Sequence, residues 1–178
     1  MLLSDLLSPE RIGIQRRDPG FNKEAAIARL AELIGERPGV SVRDVEQALL
    51  DREQLQSTGI GEGVAIPHGA LPQLNEQVAA LLIVPDGVEF QAIDDAAVTI
   101  LFGVITPKRA TGEHLKTLAR VSRLLRNKDF RQRLIHAPDP QAVFDLIRAE
   151  EAASPSIPEG RASERDIAAA KESDKRGP

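Results

Sequence analysis

"VAALLIV" at 78–84 and "VTILFGVI" at 98–105 are two longer apolar runs of the chain, and neither alternates. A strand with one wet face shows period-two patterning. A run without it is packed on both faces and needs helices on either side of its sheet. The Pro-Asp-Gly triplet at 85–87 reads as the turn that closes the first run.

Helical patterns flank these runs. "NKEAAIARLAELIGERPG" offers Asn22 as a cap, Ile27, Leu30, Leu33 and Ile34 at helical spacing, and "RPG" as a stop. A second helix opens at Ser41, with Asp44 three residues on as a weak capping box. Val42, Val45 and Leu49 form its buried stripe, and it ends before a glycine-rich segment. "TGEHLKTLARVSRLLRN" is amphipathic through Leu115, Leu118, Ser122 and Leu125, and "DFRQRLIH" is read as continuing helically. "DPQAVFDLIRAEEA" is a last helix, capped by Asp139 with Pro140 at its first position. "RIGIQ" at 11–15 is a first short strand. "GVAIPHG" suggests another, stopping at Pro67.

With 178 residues the chain suits one domain and an extension. Residues 1–150 are read as the domain. The stretch 151–178 is read as a disordered tail, because "SPSIPEGRASERDIAAAKESDKRGP" has too little apolar surface to offset its ordering entropy. The net charge of -4 and the lack of Trp and Tyr speak against a nucleic-acid partner. The absence of cysteine excludes thiolate metal sites and cysteine nucleophiles. The start "MLLSDLLSPE" has no basic signal region, and no run reaches the roughly 18 apolar residues of a membrane span. A cytoplasmic protein with no membrane insertion is expected.

"STGIGEGVAIPHG" at 57–69 gathers four glycines beside one histidine. Gly59, Gly61 and Gly63 do not make a dinucleotide fingerprint, since Val64 stands where the third glycine belongs and the segment follows a helix. No P-loop triplet exists. His68 and His114 with Glu62 or Glu113 are conceivable metal ligands, but H-x-x-x-H and H-E-x-x-H spacings are absent, so no metal is expected. No serine stands in a nucleophile elbow. Two readings of His68 stay open on the residues alone. One is a nucleophile for phosphorus, with Pro67 ending the strand and Gly69 leaving room for a partner. The other is a histidine that bonds backbone at a strand end.

"LLDREQLQSTGIGEGVAIPHG", "FQAIDDAAVTILFGVITP" and "GEHLKTLARVSRLL", in that order, resemble the enzyme IIA domains of the bacterial phosphotransferase system, fructose/mannitol class, nearest the nitrogen-regulatory branch. The resemblance implies an α/β (α+β) fold with a mixed β-sheet flanked by helices on both faces, and no cofactor. It makes His68 the acceptor of a phosphoryl group from an HPr-type histidine phosphocarrier protein. His114 becomes the second histidine holding the phosphate, and Arg52 the arginine beside the site. Ser57, Thr58, Gly59, Gly61, Gly63, Pro67 and Gly69 become the loop around it.

His114 is expected in the first turn of its helix, where backbone N–H groups favour an anion, with Glu113 turned to solvent. His136 reads as a solvent-facing residue at a helix end. Lys116, Arg120, Arg123 and Arg126 form a basic face, read as solvated or as a docking face for an acidic partner. Three functions follow. The first is a regulatory phosphoprotein of the nitrogen-type system acting on a downstream target, favoured because these residues include no IIB or membrane segment. The second is a sugar-specific IIA passing phosphate to a separate IIB component. The third is a non-catalytic binding module on the same fold.

Overall fold

The computed structural model describes residues 1–154. Its elements are β1 (Ile12–Ile14), α1 (Lys23–Ile34), α2 (Val42–Leu55), β2 (Gly59–Gly61), β3 (Val64–Ala65), β4 (His68–Leu71), β5 (Val78–Val88), β6 (Val98–Pro107), α3 (Thr111–Leu124), α4 (Lys128–Ile135) and α5 (Pro140–Ala153). The two apolar runs are β5 and β6, which pair antiparallel with Leu81 opposite Phe102. The strand order is β1-β5-β6-β3-β2, with β4 also on β6. β1 runs parallel to β5, and β3 and β4 run parallel to β6, so the sheet is mixed.

Both faces of the sheet are covered. Ala79, Leu81, Ile83, Ile100, Phe102 and Val104 pack with Leu118, Val121, Phe130, Leu134, Val143 and Ile147 of α3, α4 and α5. Ala80, Leu82, Val84, Leu101 and Ile105 pack with Ile27, Leu30, Ile34, Val45 and Leu49 of α1 and α2. Successive strand residues therefore enter opposite cores, which is why these strands carry no polar alternation. Each fully buried Leu or Ile contributes about 1.5–3 kcal/mol. The N-terminal segment joins the first core through Leu3, Leu6 and Leu7, and its Leu3 and Ser4 amides donate to the Glu151 carboxylate at 2.7 and 2.9 Å.

The helix starts follow the sequence signals. Asn22 Oδ1 accepts from the Ala25 amide at 2.9 Å, Ser41 and Asp44 form a reciprocal capping box, and Asp139 Oδ1 accepts from the Ala142 amide at 2.8 Å. Four expectations are corrected.

Pro85-Asp86-Gly87 is not a closing turn. β5 continues through it with a register irregularity between Ile83 and Val88, and Val88 pairs again with Val98. Gly87, at φ 79°, absorbs the distortion.

The strand that was to end at Pro67 is only interrupted. Pro67 has no N–H, but its carbonyl accepts from the Val104 amide at 2.9 Å, and pairing to β6 resumes at His68.

α4 is a separate helix rather than a continuation of α3. Asn127 caps it, and the buried Arg131 guanidinium donates to the Leu125 and Arg126 carbonyls at the end of α3, both at 2.8 Å.

The inward face of α3 runs through His114, Thr117, Leu118 and Val121, with Leu115 only half-buried, because two polar residues turn toward the sheet.

α5 extends to Ala153; the tail reading falls, from residue 155 onward, outside the described residues.

Candidate functional site

The glycine-rich segment is a tight hairpin tied to α2. Gly61, Glu62 and Gly63 have φ of 99°, 57° and 79°, so β2 reverses into β3 through three left-handed residues. Asp94 holds the turn by accepting from the Glu62 amide at 2.9 Å and the Ala96 amide at 3.1 Å; those N–H groups keep its carboxyl below the usual carboxylate range. At Gly59 the reason is contact, since a Cβ there would stand 2.8 Å from Ala92 Cα.

Ser57 and Thr58 serve the scaffold. Ser57 Oγ donates to the Phe90 carbonyl at 3.0 Å and accepts from the Gly59 amide at 3.1 Å. The buried Glu53 carboxylate accepts from the Thr58 amide at 3.0 and 3.1 Å, from the Thr58 hydroxyl at 2.5 Å, and pairs with Lys23 Nζ at 2.8 Å.

From this anchor a chain of hydrogen bonds reaches the histidine. The Thr58 carbonyl accepts from the Ile66 amide at 3.0 Å, and the Ile66 carbonyl faces His68 Nδ1 at 2.8 Å. A carbonyl can only accept, so Nδ1 carries a proton and the neutral ring has its lone pair on Nε2. His68 is 2% exposed. The structure seats this imidazole inside a hollow. Gly69 also has a part in the packing. A Cβ there would come within 3.3 Å of Ala48 Cβ and of the Ala48 carbonyl oxygen, so the glycine lets α2 lie against β4.

The hollow measures about 660 Å³ and lies between α2, β4, the end of β6 and the start of α3. His68, Gly69, Arg52 and His114 line it, so three of the sequence-derived site residues and one loop glycine share one cavity. Ser57, Thr58, Gly59, Gly61, Gly63 and Pro67 do not line it. The rings of His68 and His114 are 5.2 Å apart between centroids and inclined by 51°. Arg52 Nη1 donates to the Gln56 carbonyl at 2.9 Å, which fixes the guanidinium at the end of α2.

His114 is the fourth residue of α3, and its amide donates to the Ala110 carbonyl at 3.0 Å. His114 thus lies in the first turn of its helix, as expected, and its own backbone N–H closes that turn. Its side chain is the group turned to the site. Asp44, Asp51 and Lys108 add charge to the lining, and Leu55 and Pro107 add apolar surface.

The remaining candidates lie elsewhere. Glu113 and His136 are exposed, as read from the sequence, and His136 Nδ1–H donates to the Gln132 carbonyl at 2.7 Å. Glu62 reaches Arg131 at 3.4 Å. Among the described residues no three His, Asp or Glu side chains converge to hold a metal ion. Lys116 and Arg126 are exposed, whereas Arg120 is half-buried and donates to the Met1 carbonyl, so the basic face is not uniformly solvated. Among the described residues no helix is long and apolar enough to cross a membrane.

The family model "Phosphoenolpyruvate-dependent sugar phosphotransferase system, EIIA 2" matches residues 6–150. The chain belongs to this family. It is 35% identical over 147 residues to the nitrogen regulatory protein of Bradyrhizobium diazoefficiens, covering 83% of this chain and 95% of that one. It is 33% identical over 135 residues to the fructose-specific EIIA component of Haloferax volcanii, covering 75% and 88%. The crystal structure of nitrogen regulatory protein IIA-Ntr from Neisseria meningitidis superposes with a TM-score of 0.74 at 29% identity, over 82% of this chain and 98% of that one. The mixed sheet with helices on both faces is thus the EIIA fold.

Sequence reading of this EIIA chain missed the buried supports of its histidines. Thr106 Oγ1 of β6 lies 2.7 Å from His114 Nδ1, and the Thr117 hydroxyl donates at 2.7 Å to Oε1 of Gln77, the residue before β5. The only signal for Thr106 was one hydroxyl at the end of an apolar run; its partner emerges only once α3 is packed over β6.

Proposed function

We propose that this chain is a phosphoryl-relay protein of the nitrogen-type phosphotransferase system, accepting a phosphoryl group on Nε2 of His68 from an HPr-type carrier and altering its binding to a downstream protein when phosphorylated. The observation that carries the reading is the hydrogen bond from His68 Nδ1–H to the Ile66 carbonyl, which makes Nε2 the nucleophilic nitrogen of a ring lining the hollow.

In the transfer, the N–P bond of the carrier's phosphohistidine breaks as the bond from His68 Nε2 to phosphorus forms. The carrier's ring leaves with the electron pair. Such transfer asks the protein mainly for alignment and for charge facing the equatorial oxygens. Arg52 supplies a fixed guanidinium and His114 a ring N–H donor. The Ile66 carbonyl stabilises the positive charge that the phosphorylated ring gains at Nδ1–H. Burial of His68 implies that the carrier presents its phosphohistidine within the hollow, where water is displaced.

The likeness to a nitrogen regulatory protein over nearly its whole length supports the regulatory role. The likeness to a fructose-specific EIIA component favours a second reading, in which phosphate passes to a IIB component. Intact mass after incubation with phosphoenolpyruvate, enzyme I and an HPr-type carrier tests the relay. One acid-labile phosphoryl group on the wild type and none on His68→Ala is expected; no phosphate on the wild type leaves a binding module. Loss of that phosphate to a fructose-type IIB protein would replace the regulatory reading with the sugar one.

A further inference from the structure

We propose that Thr106 is a positioning residue that sets the tautomer of His114, so that the two histidines meet a phosphoryl group with opposite polarity: a lone pair from His68 and an N–H from His114. The inference rests on the reading of His114 as a phosphate-holding group and adds the residue that equips it for that task.

His68 pairs with Val104 of β6, and Thr106 follows Val104 by two residues, so its side chain lies on the same face as those of Val104 and His68. That face is covered by α3, and Thr106, 1% exposed, has its Oγ1 2.7 Å from His114 Nδ1. Among the described residues this is the one hydrogen bond made by the Thr106 hydroxyl. A buried hydroxyl whose proton finds no other acceptor donates it to the nitrogen it faces. In the neutral ring, Nδ1 of His114 is then the acceptor and Nε2 carries the proton.

At His68 the corresponding partner is the Ile66 carbonyl, which accepts and never donates, so there Nδ1 is protonated and Nε2 is bare. Two chemically identical rings with centroids 5.2 Å apart thus differ in the nitrogen that bears hydrogen, because one is backed by a carbonyl and the other by a hydroxyl. If both rings offered a lone pair, the second would repel phosphate oxygens. If both offered N–H at Nε2, neither could attack phosphorus.

The hydroxyl has a further property that a carbonyl lacks. When His114 gains a proton, the Thr106 hydroxyl can rotate to accept from Nδ1–H, so the ring keeps its place and its Nε2–H in both states. Valine has nearly the shape of threonine and neither capability, whereas serine keeps both.

The test uses full-length wild type, Thr106→Val and Thr106→Ser, with a long-range 1H–15N correlation of the His114 ring above its titration and the rate of phosphoryl acceptance from the phosphorylated HPr-type carrier. The wild type and Thr106→Ser should show the proton on Nε2 of His114 and accept phosphate at similar rates. Thr106→Val should lose that tautomer and accept phosphate about fivefold to tenfold more slowly, the effect of one net hydrogen bond. The backbone correlation spectrum of each variant reports whether the fold is kept.

A wild-type proton on Nδ1 overturns the proposal. So does a Thr106→Val protein with unchanged tautomer and rate, or a Thr106→Ser protein as slow as Thr106→Val. If the wild type takes no phosphate at all, the relay reading falls, while the ring spectra still decide whether Thr106 sets the tautomer.

Discussion

His68, His114 and Arg52 were legible as residue types in a pattern; the groups that tune them were not. The Ile66 carbonyl belongs to a backbone that sequence does not display, and Thr106 looks like one more β-branched residue in a strand. Gly69 has a packing reason that the sequence did not display, since its missing side chain accommodates Ala48 of α2. Gly59 is the sharper case of the same physics. A methyl group placed there meets Ala92 Cβ at 2.7 Å and Ala92 Cα at 2.8 Å, and backbone cannot swing aside. Gly59→Ala should therefore cost about 1–3 kcal/mol of stability. Urea unfolding followed by circular dichroism checks this; a midpoint equal to wild type would mean that the 89–97 segment yields freely.

At the scale of elements, the capped helices and the two buried strands could be read because their signals are local: a cap residue, a period, an apolar run. What escaped depended on neighbours. The Pro67 interruption is bridged because β6 supplies Val104 to its carbonyl, and the Pro-Asp-Gly segment stays in the sheet because Val98 waits opposite Val88. α3 and α4 divide because Arg131 satisfies the carbonyls between them.

The tie from α2 to the histidine strand is also of this kind. Glu53, 6% exposed, links Lys23 on α1 to Thr58, whose carbonyl holds Ile66. Glu53→Ala leaves a partly buried ammonium and two Thr58 donors without their acceptor. It should destabilise the fold by about 3 kcal/mol, the low end for breaking a buried pair because Lys23 can reach water. Proton exchange at the Ile66 amide should quicken with it. A variant as stable as the wild type, with Ile66 equally protected, would show that β3 and β4 are held by the sheet alone.

For the whole molecule, the two-faced sheet explains where the site lies. Helices on both faces leave the end of β6 and the edge strand β4 as a place where α2 from one layer and α3 from the other reach the same strand. One layer brings Arg52, the other His114, and the strand between them His68. Sequence order conceals this, since Arg52 and His114 are separated by most of the sheet. The EIIA family match covers residues 6–150, and so takes in all three residues and the elements that place them.

The proposed relay turns on one atom, Nε2 of His68. The most direct measurement is a long-range 1H–15N and 31P spectrum of the protein phosphorylated by its carrier. The expected result is phosphorus coupled to Nε2 of His68, with Nδ1 still protonated toward Ile66. Phosphorus on Nδ1 of that ring, or on His114 or His136, would contradict it.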